Sequence, residues 1–168
     1  MAAILRIVGP PGSGKTLLIV SLTEALRSRG HRVATTIRRP LDGGGAATVV
    51  VLSNSGRVTI EQPLTLERLQ AIIPSLDPSV DIILAEGYDA AEDAAFPAIA
   101  LAPHGTQPTG DPIAIVPSEE IEATFARLGP GATNGLVDLV EQRILGLPPR
   151  ARERPRGWRA VLGRLRGR

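Results

Sequence analysis

The sequence contains no cysteine among its 168 residues. A chain without cysteine forms no disulfide framework, thiolate zinc site, iron–sulfur cluster or cysteine nucleophile. A bound metal must therefore rely on oxygen ligands or on the two histidines. This composition suits a reducing compartment, and we expect a cytoplasmic protein.

Aromatic side chains and long apolar runs are also scarce. The four aromatic residues leave no platform on which nucleic-acid bases stack, so we do not expect a nucleic-acid partner. No apolar run approaches the roughly 18 residues that a membrane-spanning helix needs, and a strand-like stretch begins directly after Met1. We therefore expect neither a transmembrane segment nor a secretion signal.

Lysine is almost absent, since Lys15 stands alone against 18 arginines. The planar guanidinium of arginine does not replace a compact ammonium that must fit among phosphate oxygens. A single lysine inside a glycine-rich stretch therefore indicates a specific function at that position.

The basic charge is concentrated at the C-terminus. Residues 150–168 contain eight arginines and Glu153, a net charge of about +7, whereas residues 1–149 carry 11 basic and 16 acidic side chains. The same segment has apolar residues at helical spacing, namely Trp158, Val161, Leu162 and Leu165. We interpret residues 148–168 as a basic tail that forms an amphipathic helix and docks on a partner, with a disordered solubilising tail as the alternative.

Hydrophobic spacing predicts the order of strands and helices over residues 1–147. Short apolar runs predict strands over residues 3–8, 31–37, 80–85, 97–101 and 113–116, and a hairpin over residues 47–61. Helical spacing predicts helices over residues 15–29, from the N-cap Thr65 to Leu76, and over residues 134–145. Short strands without alternation are buried on both faces. We therefore expect an α/β fold with three layers, a mostly parallel sheet, helices on both faces and an inserted β-hairpin.

Residues 9–16 match the phosphate-loop pattern G-x-x-x-x-G-K-[ST] between a predicted strand and a predicted helix. The matching residues are Gly9, Pro10, Pro11, Gly12, Ser13, Gly14, Lys15 and Thr16. In this motif backbone N–H groups surround the phosphates, Lys15 reaches the β and γ phosphates, and the Thr16 hydroxyl binds Mg²⁺. The pattern predicts a P-loop NTPase fold that binds a nucleoside triphosphate over residues 1–147.

A carboxylate at the end of a neighbouring strand is the second part that such a site needs. Glu86 follows the apolar strand over residues 80–85, at the edge where α/β sheets bind ligands. We predict that Glu86 lies beside the metal and that Lys15 and Glu86 are the catalytic residues. Asp81 begins the same strand at the opposite edge, and we interpret it as structural.

Further polar residues follow the second predicted strand. Arg38, Arg39 and Asp42 are candidates for contacting a γ-phosphate or an anionic substrate, and a solvated charge cluster is the alternative. We interpret His31, at the far edge, and His104, in a polar loop, as ordinary surface histidines.

Several segments occur in an order that resembles a known family. They are residues 9–16, residues 46–51 leading into the hairpin, the L-x-E-G-aromatic sequence at residues 84–88, residues 113–116 with Ser118, and residues 134–136. Over residues 3–146 the chain resembles the MobB family, the molybdopterin-guanine dinucleotide biosynthesis adaptor proteins. Family members usually have a Lys-His pair and a longer segment after the second strand, where this chain has Arg38-Arg39 and a short link.

The resemblance implies a GTP-binding, weakly hydrolytic protein. It would assist the guanylyltransferase that attaches GMP to molybdopterin, or another molybdoenzyme maturation factor, and could form a homodimer. Residues 9–16 would hold the nucleotide, and Glu86 would lie at the Mg²⁺. The sequence has no N-K-x-D motif for guanine, so ATP is not excluded.

Other classes share the phosphate loop. A small-molecule P-loop kinase would need an arginine-bearing lid and an acceptor pocket, and we do not expect a hairpin at residues 47–61 in one. A non-catalytic, nucleotide-dependent interaction module is the other open alternative, and negligible turnover would distinguish it. An AAA-type ATPase would need a helical lid and an Asp-Glu pair at the strand end, both of which the sequence lacks.

Overall fold

The computed structural model describes residues 2–40, 46–52, 56–89, 91–108, 110–118 and 133–149. Its strands are β1 (Ala3–Val8), β2 (Val33–Pro40), β3 (Ala46–Leu52), β4 (Gly56–Ile60), β5 (Ile82–Glu86), β6 (Ala98–Ala102) and β7 (Ala114–Pro117). Its helices are α1 (Lys15–Ser28), α2 (Leu66–Leu76) and α3 (Asn134–Arg143), with a short 3-10 helix over Ala91–Ala95 that the sequence did not predict. The turn of the predicted hairpin, Asp42, and the tail from residue 150 onward lie outside the described residues.

The strands form one sheet of seven in the order β4-β3-β2-β5-β1-β6-β7. Five neighbours, from β2 through β5 and β1 to β6 and β7, run parallel. The hairpin of β3 and β4 extends the sheet beyond β2 with antiparallel pairing. This arrangement confirms the predicted mostly parallel sheet with an inserted hairpin.

Helices cover both faces of the sheet, as predicted. Leu5 and Ile7 of β1 pack in one apolar cluster with α1 and α3, whereas Ile4 packs in a second cluster with α2. Successive strand residues point to opposite faces, so α1 and α3 lie on one side of the sheet and α2 lies on the other.

The ends of α2 show where local sequence signals hold and where they do not. Thr65 caps the helix, since its hydroxyl accepts a hydrogen bond from the backbone N–H of Arg68 at 3.3 Å, as predicted. Leu76 continues the helical spacing of apolar residues, but at the last residue of the helix its side chain is 43% exposed. The chain turns there at Asp77, whose carboxylate accepts a hydrogen bond from the backbone N–H of Ser79 at 3.0 Å.

The segment before β2 differs from the prediction. The strand begins at Val33 rather than at residue 31 and continues to Pro40. His31 is not an ordinary surface residue: its side chain is 13% exposed, and its Nε2 lies 2.8 Å from Glu141 Oε1 on α3. Long-range contact with α3 therefore takes His31 out of the strand, whereas His104 is exposed, as predicted.

The last strand is also less buried than predicted. Ile115 is 53% exposed because β7 is the outermost strand on its side of the described sheet. The strands β5 and β6, which have neighbours on both sides, are almost wholly buried, as the apolar runs predict. Within the part of the chain that the structure describes, no helix is both long enough and apolar enough to cross a membrane.

Candidate functional site

The predicted phosphate loop connects β1 to the start of α1. Gly14 is the N-cap residue of α1 with a φ of 89°, and no side chain caps the helix. The first turn of α1 contains no acidic residue. The N–H groups and positive end of the helix dipole are therefore not neutralised by side chains of the loop, and such a helix start suits an anion.

The close packing of the loop requires glycine at its first position. A Cβ atom on Gly9 would lie 2.6 Å from the backbone oxygen of Leu101 and 3.0 Å from Ser13 Oγ. Ser13 Oγ itself is buried and has no hydrogen-bond partner among the described residues. The loop thus holds a buried hydroxyl whose donor is available to a ligand oxygen.

The ammonium of Lys15 lies over this loop. Its Nζ donates hydrogen bonds to the backbone oxygens of Gly9 at 2.7 Å and Pro10 at 2.8 Å. These contacts hold the ammonium of the only lysine at the loop, where the motif predicts that it contacts phosphates.

Thr16 and Glu86 are in direct contact. The Thr16 hydroxyl lies 2.9 Å from Glu86 Oε2 and 3.1 Å from Oε1. The two residues meet because β1 and β5 are adjacent parallel strands, so that Glu86 pairs with Ile7 just before the loop. Asp81 is at the opposite edge, where its carboxylate accepts a hydrogen bond from the backbone N–H of Arg32 at 2.8 Å, in keeping with its structural interpretation.

Tyr88 anchors the chain directly after Glu86. Its ring is fully buried, and its hydroxyl lies 3.2 Å from Thr48 Oγ1 on β3. Burial raises the pKa of the Tyr88 hydroxyl, an effect that the hydrogen bond with Thr48 opposes. Tyr88 therefore connects the turn that carries Glu86 to the hairpin.

Two of the candidate anion contacts, Arg38 and Arg39, were predicted to follow the second strand but lie within β2, because pairing with β3 extends the strand to Pro40. The guanidinium carbon of Arg38 lies 5.6 Å from the centre of the Tyr88 ring, a cation–π contact. Arg39 is exposed, and Asp42 lies outside the described residues. The structure thus brings Lys15, Thr16 and Glu86 to one place, and the role of Arg38, Arg39 and Asp42 stays a prediction.

Gly87 provides a test of how tightly this turn is built. Its φ is +84°, and a Cβ atom would lie 2.6 Å from the backbone oxygen of Arg38. We expect Gly87→Ala to lower the free energy of unfolding by about 2 kcal/mol, measured by urea denaturation. Gly105→Ala is the matched control, because Gly105 has a φ of +79° with no atom near its added Cβ. Gly105→Ala should lower the free energy of unfolding by about 1 kcal/mol. Equal losses of stability in the two variants would contradict the close contact at Gly87.

Two charged residues near the loop were missed in the sequence. Burial raises the pKa of Asp89, the charges of Lys15 and Arg6 oppose this shift, and Glu86 adds to it. Asp89 therefore lies within electrostatic reach of the loop. Arg6 could have been found, because it is a charged residue inside an otherwise apolar strand.

A phosphate-loop motif between a strand and a helix, with a carboxylate at the end of the adjacent parallel strand, defines a P-loop NTPase fold. No protein-family model and no curated protein matches the chain.

Among the solved structures similar to this one are two MobB proteins, members of the family that the sequence motifs resemble. Bacillus subtilis MobB is 18% identical with a TM-score of 0.44, and the match covers 73% of this chain and 95% of that chain. A MobB protein homolog from Bacillus stearothermophilus is 22% identical with a TM-score of 0.41, covering 77% of this chain and 97% of that chain. At this low sequence identity, the function has to be inferred from the residues of the site.

Proposed function

We propose that the chain is a P-loop protein that binds a nucleoside triphosphate, with GTP as the expected nucleotide, and hydrolyses it weakly. The observation that carries this proposal is the convergence of Lys15, Thr16 and Glu86 at a helix start with no capping side chain. An ammonium, a hydroxyl and a carboxylate in this arrangement match the parts that bind phosphates and their metal.

The donor set at the site also fits Mg²⁺. This cation prefers oxygen ligands and usually combines one or two protein oxygens with water and substrate phosphates. Thr16 and Glu86 supply a hydroxyl and a carboxylate within hydrogen-bond distance of each other. Among the described residues no group of three or more acidic or histidine side chains forms a separate metal site. Bound Mg²⁺ would neutralise charge on the phosphates.

The protein groups would then act by position and charge. Lys15 would contact the β and γ phosphates and stabilise negative charge during transfer. The N–H groups at the start of α1 would bind the remaining phosphate oxygens. Glu86 would orient the metal through its carboxylate.

The identity of the nucleotide is tested by titration. The magnesium complexes of GTP and ATP, each in non-hydrolysable form, are titrated separately against the full chain by calorimetry. Tighter binding of the GTP form supports the proposal, equal binding makes it a general nucleotide site, and no binding of either form contradicts it.

We propose a MobB-like adaptor role in molybdenum cofactor biosynthesis on the basis of the sequence motifs. The nucleotide-bound chain would associate in the cytoplasm with a guanylyltransferase or a molybdoenzyme maturation factor, or with a second copy of itself. A pull-down of the purified guanylyltransferase with and without nucleotide tests this role. If the two proteins do not associate under either condition, the adaptor role is contradicted.

A turnover assay with GTP separates the adaptor from the alternatives. A small-molecule kinase would transfer the γ-phosphate to an acceptor, so a phosphorylated organic product would identify it. Release of inorganic phosphate alone supports the proposed hydrolysis. Absence of both, with nucleotide still bound, would indicate a non-catalytic interaction module.

Glu86→Gln tests the metal side of the site. The substitution removes a charge while keeping the size of the side chain. We expect nucleotide binding in EDTA to be largely intact and the half-saturating Mg²⁺ concentration to rise by about tenfold, or hydrolysis to slow by a similar factor. The control is Glu24→Gln, an exposed carboxylate on α1. If the Mg²⁺ titration and the turnover rate of Glu86→Gln match those of the control, Glu86 has only a structural role.

A further inference from the structure

Hydrolysis of a triphosphate needs a side chain that orients the attacking water and accepts its proton. The groups assigned above have other tasks, since Lys15 would contact the phosphates and Thr16 and Glu86 would hold Mg²⁺. A group that acts on the water must be accessible to solvent and must lie beside the phosphate loop. Asp89 is an acidic residue that meets both conditions.

Asp89 lies in the connection between β5 and β6, a short distance along the chain after Glu86. It borders a cavity of about 880 Å³ that is also bordered by Gly9 and Pro10. The backbone oxygens of these two residues accept the hydrogen bonds of the Lys15 ammonium. Asp89 therefore borders the same space as the first residues of the phosphate loop, and solvent reaches it there.

The charges that act on the Asp89 carboxylate belong to the candidate site. Lys15 and Arg6 act on it as cations, and Glu86 acts on it as an anion. Asp89 is thus within electrostatic reach of the group assigned to the phosphates and of the group assigned to the metal. Among the described residues its carboxylate forms no ion pair and accepts no hydrogen bond, so its oxygens are available to water.

Two contacts fix the backbone directly before Asp89. The Tyr88 ring is fully buried, and its hydroxyl lies 3.2 Å from Thr48 Oγ1. Arg6 Nη1 donates a hydrogen bond to the backbone oxygen of Tyr88 at 3.1 Å, and its Nε donates to that of Phe96 at 3.0 Å. Arg6 thereby joins the two ends of the connection, one after β5 and one before β6. An anchored backbone restricts the positions that the Asp89 carboxylate adopts.

The surroundings of Asp89 also suit a proton acceptor. Partial burial raises the pKa of the Asp89 carboxyl above its ordinary value, and the charges of Lys15 and Arg6 oppose this shift. A carboxylate with a raised pKa accepts a proton more readily than a fully hydrated one. The two cations at the same time favour the ionised form, which is the form that acts as a base.

We propose that Asp89 is a further catalytic residue for the nucleotide hydrolysis of the proposed function, on which this role rests, and that Arg6 is its positioning residue. The Asp89 carboxylate accepts a hydrogen bond from a water beside the γ-phosphate. The water oxygen forms a bond to the γ-phosphorus. The bond between that phosphorus and the β–γ bridging oxygen breaks, and its electron pair leaves with the nucleoside diphosphate. One water proton passes to Asp89 and from there to an oxygen of the released phosphate.

The test measures nucleotide binding and phosphate release separately. Binding of the magnesium complex of non-hydrolysable GTP is measured by calorimetry, and phosphate release is measured at saturating GTP. We expect folded Asp89→Asn to bind within about threefold of the wild type and to release phosphate at least about tenfold more slowly. Asp89→Ala should be at least as slow, because it removes the acceptor oxygen altogether.

Asp111→Asn is the matched control, because Asp111 is an exposed carboxylate on the border of the same cavity. It lies toward the opposite end of the sheet, since the nearby N–H of Ile113 donates a hydrogen bond to the backbone oxygen of Ala98 at the start of β6. Phosphate release by Asp111→Asn should therefore match that of the wild type.

The positioning role of Arg6 is tested by its coupling to Asp89. Arg6→Lys keeps the charge but loses the planar donors that bind two carbonyls, so it should slow phosphate release about fivefold. In the Asp89→Asn background the same substitution should change the rate by less than about twofold, because no carboxylate is left to position. A merely structural role would slow both backgrounds by the same factor. Arg6→Gln is the second variant if Arg6→Lys does not fold.

The outcomes separate this role from the proposed nucleotide binding. Absence of GTP binding by the wild type contradicts both. Binding without phosphate release, or equal release by folded Asp89→Asn and Asp111→Asn, overturns the role of Asp89 and leaves the nucleotide site supported. A loss of affinity in Asp89→Asn of more than about threefold makes Asp89 a binding residue and also overturns it. Equal effects of the Arg6 substitution in the two backgrounds overturn the positioning role.

Discussion

Replacing Lys15 by alanine is expected to lower the affinity for nucleoside triphosphates at least about tenfold. The substitution removes the ammonium of the only lysine in the sequence, and that ammonium donates hydrogen bonds to the backbone oxygens of Gly9 and Pro10 in the loop. A charge-assisted hydrogen bond to a phosphate is stronger than one between neutral groups. Isothermal titration calorimetry with a non-hydrolysable triphosphate measures the loss directly.

The fold should survive this substitution, because Lys15 contacts only the loop and contributes to neither apolar cluster. Circular dichroism and the urea midpoint check that it does. Lys15→Arg keeps the charge but replaces the compact ammonium by a planar fork, so it should recover little of the affinity. Arg57→Ala serves as the control for loss of a surface cation. Wild-type affinity in a folded Lys15→Ala protein would refute the phosphate-loop assignment.

Replacing Glu141 by glutamine is expected to lower the free energy of unfolding by about 3 kcal/mol. Glu141 is buried on α3, where its carboxylate lies 2.8 Å from Arg29 Nη1 and 2.8 Å from His31 Nε2. Both partners are themselves largely buried, so neutralising Glu141 leaves charge without its partner in a poorly hydrated place. Asp138, which is 42% exposed and 2.6 Å from Arg29, offsets only part of the loss.

Urea denaturation of the wild type and the variant at one pH measures this difference. The control is Glu67→Gln, an exposed carboxylate on α2 that should change the stability by less than about 0.5 kcal/mol. If the two variants lose the same stability, the contacts of α3 with Arg29 and His31 do not stabilise the fold. Nucleotide affinity should be unchanged in both variants, because neither α2 nor α3 contributes a residue to the phosphate loop.

Much of the candidate site could be predicted from the sequence because its parts are local. Residues 9–16 lie between a strand and a helix, and the fixed spacing within the motif determines which atoms face the phosphates. Glu86 follows an apolar run, and the carboxyl ends of parallel strands meet at one edge of a sheet. Contact between Thr16 and Glu86 follows from these two facts once the strands are adjacent.

The remaining features depend on contacts between residues far apart in the chain. His31 belongs by pattern to β2 but lies against Glu141, which is 110 residues away. Arg6 was visible as a charge in an apolar strand, but its partners are the backbone oxygens of Tyr88 and Phe96, which no side-chain pattern reveals.

The hydrogen bond between Tyr88 and Thr48 couples the register of the hairpin to the position of the turn that carries Glu86. Thr48 pairs with Arg38 across the β2–β3 ladder, and its side chain is fully buried. A slip of one residue in that ladder would turn Thr48 to the other face and remove its hydrogen bond with the buried Tyr88 hydroxyl. The hydrogen bond that holds the turn after Glu86 therefore forms only when β3 pairs with β2 in the correct register. A hairpin with a shifted register is less stable by the loss of this bond.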